Sequence, residues 1–240
     1  MPYAIPTVTA AAVVATAGTL TYAALSAQSQ LFGLTLIAPA KPNEIALTYD
    51  DGPNPAATPQ LLEVLARHNV HATFFLIGNF VRQCPALVRD IAAAGHLIGN
   101  HTTTHPWLPF HSAARIRREL ADCNAVLEDT LGSSVRYFRA PHGARRPFVL
   151  RTVRELNLIP VQWNIITGDW KPIGAADIAS RVMQGIAHNQ RRNRASNIVL
   201  HDGGSLHLGA PRTPSVEATD QILRTYIPGG TKFVTLSSWI

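Results

Sequence analysis

The sequence predicts an α/β fold of parallel strands, a distorted or incomplete (β/α) barrel of about seven strands. Three observations predict it. Short apolar runs alternate with helical patterns from Lys41 to the C-terminus. The runs number one short of the eight that close a regular barrel. Finally, each cluster of reactive side chains comes directly after an apolar run, where the C-terminal end of a strand would lie. At 240 residues the chain can form one good-sized core, with a single domain over residues 41–240 and an extra segment over 1–40.

Residues 45–49 read as a buried strand. Thr58 is placed to cap a helix running to about His68, with Pro59 in its first turn. Residues 72–77 form a second strand, and a helix over 85–94 stops at Gly95. A short strand follows over Leu97–Asn100. Ser112 caps a long helix to about Leu131, closed by Gly132, with Ile116, Leu120, Cys123 and Leu127 as its apolar stripe. The remaining strands are expected over 135–138, 159–163, 197–200 and 232–236, and the remaining helices over 147–156, 175–187 and 215–226. No internal repeat or low-complexity linker interrupts the series.

The composition is that of an ordinary globular protein, 46% hydrophobic and 15% charged, which argues against disorder. The formal net charge is +6, but the basic residues are scattered. The one dense run, Arg191-Arg192-Asn193-Arg194, reads as a solvated loop, and no nucleic-acid motif accompanies it. No nucleic-acid partner is therefore expected, and the chain is expected to act as a monomer. The first forty residues carry no charged side chain. Residues 7–25 are rich in Ala, Val, Thr and Leu and approach the ~20 residues of a membrane-spanning helix. They read as a signal peptide cut near Ser26, as a membrane anchor, or as an Ala-rich helix packed on the domain, and they lack the usual basic residue in front. Export or anchoring is favoured, which places the protein as secreted, periplasmic or attached to the envelope. Two cysteines, Cys84 and Cys123, would then be expected to pair.

The reactive residues follow the strands in order. Asp50 and Asp51 come after the first, and His101 and His105 after the third. Arg139 and His142 come after the fourth, Asp169 and Trp170 after the fifth, and His201 and Asp202 end the sixth. In a parallel barrel that face carries the active site. Two His four residues apart, on one side of a helical turn, can reach one ion. Thr102 stands where a zincin would have its Glu, so a general base must come from elsewhere. Asp50 and Asp51 can supply it, one ligating a metal and the other facing substrate. One Asp with two His makes a three-ligand site with an open position, as catalytic zinc requires. His201 suits the task of protonating a leaving group. The remaining His residues (His68, His71, His96, His111, His188 and His207) read as surface or capping positions, with His207 in a Gly-rich loop that could border the cleft.

The ordered segments TYDDGP, HTTTH, RAPHG, DW and LHDG resemble the NodB homology domain of polysaccharide deacetylases, carbohydrate esterase family 4. The likeness covers roughly residues 41–240. It implies zinc, or a divalent ion such as cobalt, on Asp51, His101 and His105. Asp50 would be the general base, oriented by Arg139, and His201 the general acid, with Asp169 in support. The backbone N–H of His142 would help hold an oxyanion, and Trp170 and Leu200 would line a pocket for the acetyl methyl. The implied reaction is N-deacetylation of an N-acetylglucosamine polysaccharide: chitin-like oligosaccharide, peptidoglycan or poly-N-acetylglucosamine. An O-acetyl esterase acting on xylan and a non-catalytic carbohydrate-binding relic are the other readings. Three departures stand out: Tyr49 for Phe, His142 for an aromatic residue, and Ile166 where many members carry a further Asp.

Overall fold

Strand β1 (Glu44–Gly52) organises the molecule, because Ile45, Leu47 and Tyr49 project from one face and Ala46, Thr48 and Asp50 from the other. The computed structural model describes residues 5–240, with side chains described from residue 15. Beside β1 lie β2 (Thr73–Leu76), β3 (Leu97–Asn100), β4 (Tyr137–Phe138) and β5 (Ile159–Pro160) on one side. On the other side are β7 (Ser196–His201) and β6 (Ile165–Ile166), while β8 (Lys232–Phe233) pairs only with the start of β1. Every pairing is parallel. The seven-strand path β5-β4-β3-β2-β1-β7-β6 curls into an open half-barrel. Its end strands are consecutive in the chain, so residues 161–164 span the gap between them.

The connections are α2 (Thr58–Arg67), α3 (Gly78–Gln83), α4 (Pro85–Ala93), α5 (Ala113–Leu131), α6 (Pro147–Glu155), α7 (Ala175–Arg191) and α8 (Thr213–Tyr226), preceded by α1 (Ile5–Leu25). The larger core lies between the outer strand face and the helices. Leu47, Phe74, Ile198 and Leu200 there meet Leu61, Leu65, Val182 and Ile222. A smaller cluster of Ala46, Phe75, Tyr137, Val161 and Leu236 fills the lower barrel. Helix α5 has the expected stripe, Ile116, Leu120, Cys123 and Leu127 all being buried. Ser112 accepts from the Arg115 amide, and Gly132 ends the helix at φ 66°, a left-handed position suited to glycine.

Several local expectations are corrected. Thr58 does not cap α2 with its side chain; its hydroxyl accepts from the Asn54 amide and donates to Asp202. The expected strand over 159–163 is only the short β5, and a further strand, β6, follows at Ile165–Ile166, so Asp169 and Trp170 follow the sixth strand rather than the fifth. Cys84 and Cys123 are free thiols, not a disulfide. Cys123 is buried on α5 and donates to the Leu76 carbonyl, whereas Cys84 sits at the α3–α4 junction. His96 is buried, accepting from the Ala72 amide, and burial lowers its pKa to about 4. The basic run at residues 191–194 is exposed, as expected of a solvated loop. Among the described residues no helix is long and apolar enough to cross a membrane.

Candidate active site

Strand alternation alone would send Asp50 and Asp51 to opposite faces of the sheet. A bulge prevents this. The register of β1 against β2 shifts between Asp50 and Gly52, and Asp51 takes a left-handed φ of 71°. A bulge re-aims a side chain in this way. Both carboxylates therefore face His101: its Nε2 lies 3.4 Å from Asp51 Oδ1 and 3.9 Å from Asp50 Oδ2. Gly203 allows the close approach behind the bulge, since a Cβ there would stand 1.9 Å from the Asp51 carbonyl oxygen.

The two histidines do not share a helical turn. They lie on a loop whose Thr102 and His105 have φ of 68° and 57°. Such conformations in non-glycine residues persist only where surroundings impose them. Here Glu119, buried on α5, accepts from the amides of Thr103 and Thr104 and from the Thr104 hydroxyl. Asn100 accepts from the Thr102 amide, and the Thr102 hydroxyl accepts from the His105 amide. His101 Nδ1 lies 2.9 Å from the Arg139 carbonyl. That acceptor fixes the tautomer with the proton on Nδ1, leaving the Nε2 lone pair toward Asp51.

His105 Nε2 stands 3.2 Å from Asp51 Oδ1, so one carboxylate oxygen meets both imidazoles. Ligand atoms of Asp51, His101 and His105 all lie within 4.8 Å of one another. Burial, and then the neighbouring His101, depress the His105 pKa to about 3, which keeps it neutral and able to ligate. Burial opposes charge on Asp51, but the surrounding imidazoles outweigh it and hold the carboxyl well below its usual range. Asp51 Oδ1 is buried without a hydrogen-bond partner. An anionic oxygen left this way is costly unless a cation meets it. The donor set of one carboxylate and two imidazoles fits a divalent ion such as zinc or cobalt.

Asp50 is held differently. Arg139 Nη1 donates to Asp50 Oδ1 at 2.8 Å and to the Thr48 hydroxyl at 2.7 Å. The guanidinium is fully buried over the Phe75 ring, 4.2 Å from its centroid. Asp50 is the register partner of His201 on β7, so base and acid candidates sit side by side on adjacent strands. Asp169 accepts from the His201 amide at 2.8 Å, pairs with His201 Nδ1 at 2.9 Å and accepts from Ser215 at 2.8 Å. Burial lowers the His201 pKa, but Asp169, with smaller help from Asp51 and Asp50, overcomes this and raises it to about 9. Asp169 thus supplies the carboxylate partner of His201, with Ile166 standing where the resemblance led one to look for a further Asp.

Asp50, Asp51, His101, His105 and His201 line one cleft of about 960 Å³, with Arg139 and Asp169 buried behind it. Trp170 presents its edge to His201, with centroids 5.1 Å apart. His142 stacks on Trp107 at 4.0 Å and lies edge-on to His105 at 4.6 Å. His207 also borders the cleft. Leu200 does not line it. Strand alternation turns Leu200 outward into the helix-facing core, and Val199, on the same face as His201, takes the cleft position. Sequence reading also missed Glu119, Thr48 and Ser215. A signal existed for Glu119, an acid falling beside the apolar stripe of α5 and three residues after Ile116. Thr48 and Ser215 carried none, because their roles depend on contacts distant in sequence.

The family profile described as polysaccharide deacetylase matches residues 38–161, just over half the chain. A peptidoglycan-N-acetylglucosamine deacetylase of Bacillus cereus is 36% identical over 195 residues, 81% of this chain and 67% of that protein. A chitooligosaccharide deacetylase of Sinorhizobium fredii is 38% identical over 160 residues, 66% of this chain and 72% of its own length. Among solved structures, a peptidoglycan N-acetylglucosamine deacetylase superposes with TM-score 0.76 at 34% identity, over 85% of this chain and 90% of the other. An acetyl xylan esterase from Clostridium thermocellum, in complex with a cobalt ion, does so with TM-score 0.71 at 32% identity, over 82% and 89%.

Proposed function

Since this chain belongs to the polysaccharide deacetylase family, we propose that it hydrolyses N-acetyl groups from N-acetylglucosamine-containing saccharides, with peptidoglycan or chitin-like oligosaccharide as substrate. The observation that carries this reading is the pairing of Asp50 with His201 across adjacent strands, directly beside the Asp51, His101 and His105 donor set. A divalent ion such as zinc or cobalt on those three residues supplies Lewis acidity toward water and the acetyl carbonyl.

The protein's own groups do the rest. Asp50, held by Arg139, takes the proton of the attacking water. The backbone N–H of His142 would help hold the oxyanion, as the family resemblance implies. His201, protonated because Asp169 lies against it, gives its proton to the departing amine. Val199 and Trp170 form the apolar side of the cleft where the acetyl methyl would rest. The uncharged first forty residues support placing this activity in the envelope or outside the cell.

The likeness to an acetyl xylan esterase favours one further reading, O-deacetylation by the same groups. Acetate release from acetylated chito-oligosaccharides, peptidoglycan and acetyl-xylan, measured with zinc or cobalt added, separates the two. Release from the first two is expected. Release from acetyl-xylan alone would sink the amide reading, and no release from any of them with metal bound would make the chain a non-catalytic carbohydrate binder.

A further inference from the structure

We propose that residues 24–30 form a fixed wall of the substrate cleft, anchored by the buried guanidinium of Arg145, and that this wall sets a preference for polymeric over small acetyl substrates. The second half of this proposal rests on the deacetylase reading. Leu25, Ser26, Ala27 and Gln28 line the same cleft as the Asp51, His101 and His105 donor set. They stand with Trp163, Asn164 and Ile166, and the loop carrying Leu206 and His207 lines the cleft as well.

What holds this stretch is a built contact rather than a passing one. Arg145 is 1% exposed and follows directly on the turn that carries His142. Its Nη2 donates to the carbonyls of Ser26 at 2.7 Å and Ser29 at 2.8 Å. Its Nη1 donates to the Gly143 carbonyl at 3.0 Å, and its amide to the Ala24 carbonyl at 3.0 Å. One residue thus ties the stretch to the turn that presents His142. A buried cation is costly unless its donors are met, so the carbonyls of residues 26 and 29 and the guanidinium hold one another in place.

The far end is closed as well. Gln28 donates to the Trp163 carbonyl, and Gln30 brackets Thr35 through its amide group, accepting from the Thr35 N–H at 2.7 Å. Leu36 then bridges Val161, where the half-barrel leaves its gap. The chain just after the stretch therefore lies along the open side of the barrel, and residues 25–28 continue from it as cleft wall. The groups around the reacting acetyl, Asp50, His201, Val199 and Trp170, come from other segments of the chain. A small acetyl ester needs only those, whereas a saccharide chain reaching past them meets residues 25–28. Remote contacts of this kind are where extended substrates gain their rate advantage.

The test uses the full chain loaded with zinc. Arg145→Met removes the anchor, Arg145→Lys keeps a cation, and Ala27→Trp crowds the wall without touching the anchor. Two quantities are read: hydrogen exchange of the amides of residues 24–30, and kcat/KM on N-acetylated chitohexaose divided by that on 4-nitrophenyl acetate. The proposal expects faster exchange over residues 24–30 in Arg145→Met. It expects the substrate ratio to fall by roughly tenfold or more in both Arg145→Met and Ala27→Trp, with partial recovery in Arg145→Lys. Wild-type amides exchanging as fast as those of Arg145→Met would overturn the wall. Ratios within about twofold of wild type in both variants would overturn the preference. A wild-type protein that hydrolyses neither substrate would sink the deacetylase reading and the preference with it, and the exchange measurement would still decide the wall.

Discussion

Asp50 and Asp51 differ in what holds each carboxylate. Arg139 orients Asp50, while two imidazoles converge on one oxygen of Asp51. Asp50→Asn keeps the shape and removes the base, so it should lower kcat by about 10²–10⁴-fold while bound metal, measured by elemental analysis, stays at the wild-type level. Loss of metal in that variant would mean the two roles are exchanged. For His201 the sign of the pH effect follows from its raised pKa of about 9. The proton needed for the leaving amine is present below that value and is lost as pH rises through it. In Asp169→Asn the strongest counter-charge and its hydrogen bond are weakened or lost, leaving burial opposed mainly by the smaller effects of Asp51 and Asp50, which shifts His201 toward neutral imidazole. The alkaline limb of kcat/KM should then move down by about one pH unit or more. A limb that stays in place would remove His201 as the acid.

At the scale of elements, the loop between β3 and α5 and the strand β7 each carry a testable consequence. Glu119 shapes the loop through two amides and a hydroxyl. Glu119→Ala should therefore weaken zinc affinity by roughly 10–100-fold although Glu119 touches no metal position. Competition with a chromophoric chelator measures it, and unchanged affinity would show that the loop holds its left-handed turns unaided. On β7, Val199 and Leu200 should separate cleanly. Leu200→Ala opens a cavity in the helix-facing core and should cost ~2–5 kcal/mol in denaturant unfolding. Val199→Phe, at the cleft, should raise KM for acetylated substrate. The reverse pattern would restore Leu200 to the pocket.

For the whole molecule, the parallel half-barrel gathers groups from five strand ends at one mouth, with the Asp51, His101 and His105 donor set among them. Strong chelator should abolish acetate release, and added zinc or cobalt should restore it. Full activity in chelator would refute a metal role. Thermal unfolding should also shift upward on adding zinc, because an ion that binds only the folded chain stabilises it. The orphaned oxygen of Asp51 gives the physical reason, since without a cation it is a buried charge with no hydrogen bond.

Much of this was legible in the sequence because it depends on local pattern. Period-two and period-3.6 apolar spacing marks strands and helices whatever they pack against, so the parallel α/β class, the α5 stripe and its caps could be read directly. Reactive residues placed after apolar runs also marked one face of the barrel, and the family resemblance singled out Asp51, His101 and His105, whose ligand atoms the fold brings within 4.8 Å of one another. Tertiary structure decided what depends on direction and on distant partners. The bulge at Asp51 turned two adjacent carboxylates to one side, and Glu119 bent the histidine loop out of a helical turn. The phase of β7 put Val199 rather than Leu200 at the cleft. The cysteines, read as a pair, lie apart in use, one in the core and one at a helix junction. Arg145 holds the end of α1 and the residues after it beside the cleft, although nothing in residues 24–30 by themselves says they belong there. In each case the deciding contact joins groups far apart in the chain, and only folding sets its geometry.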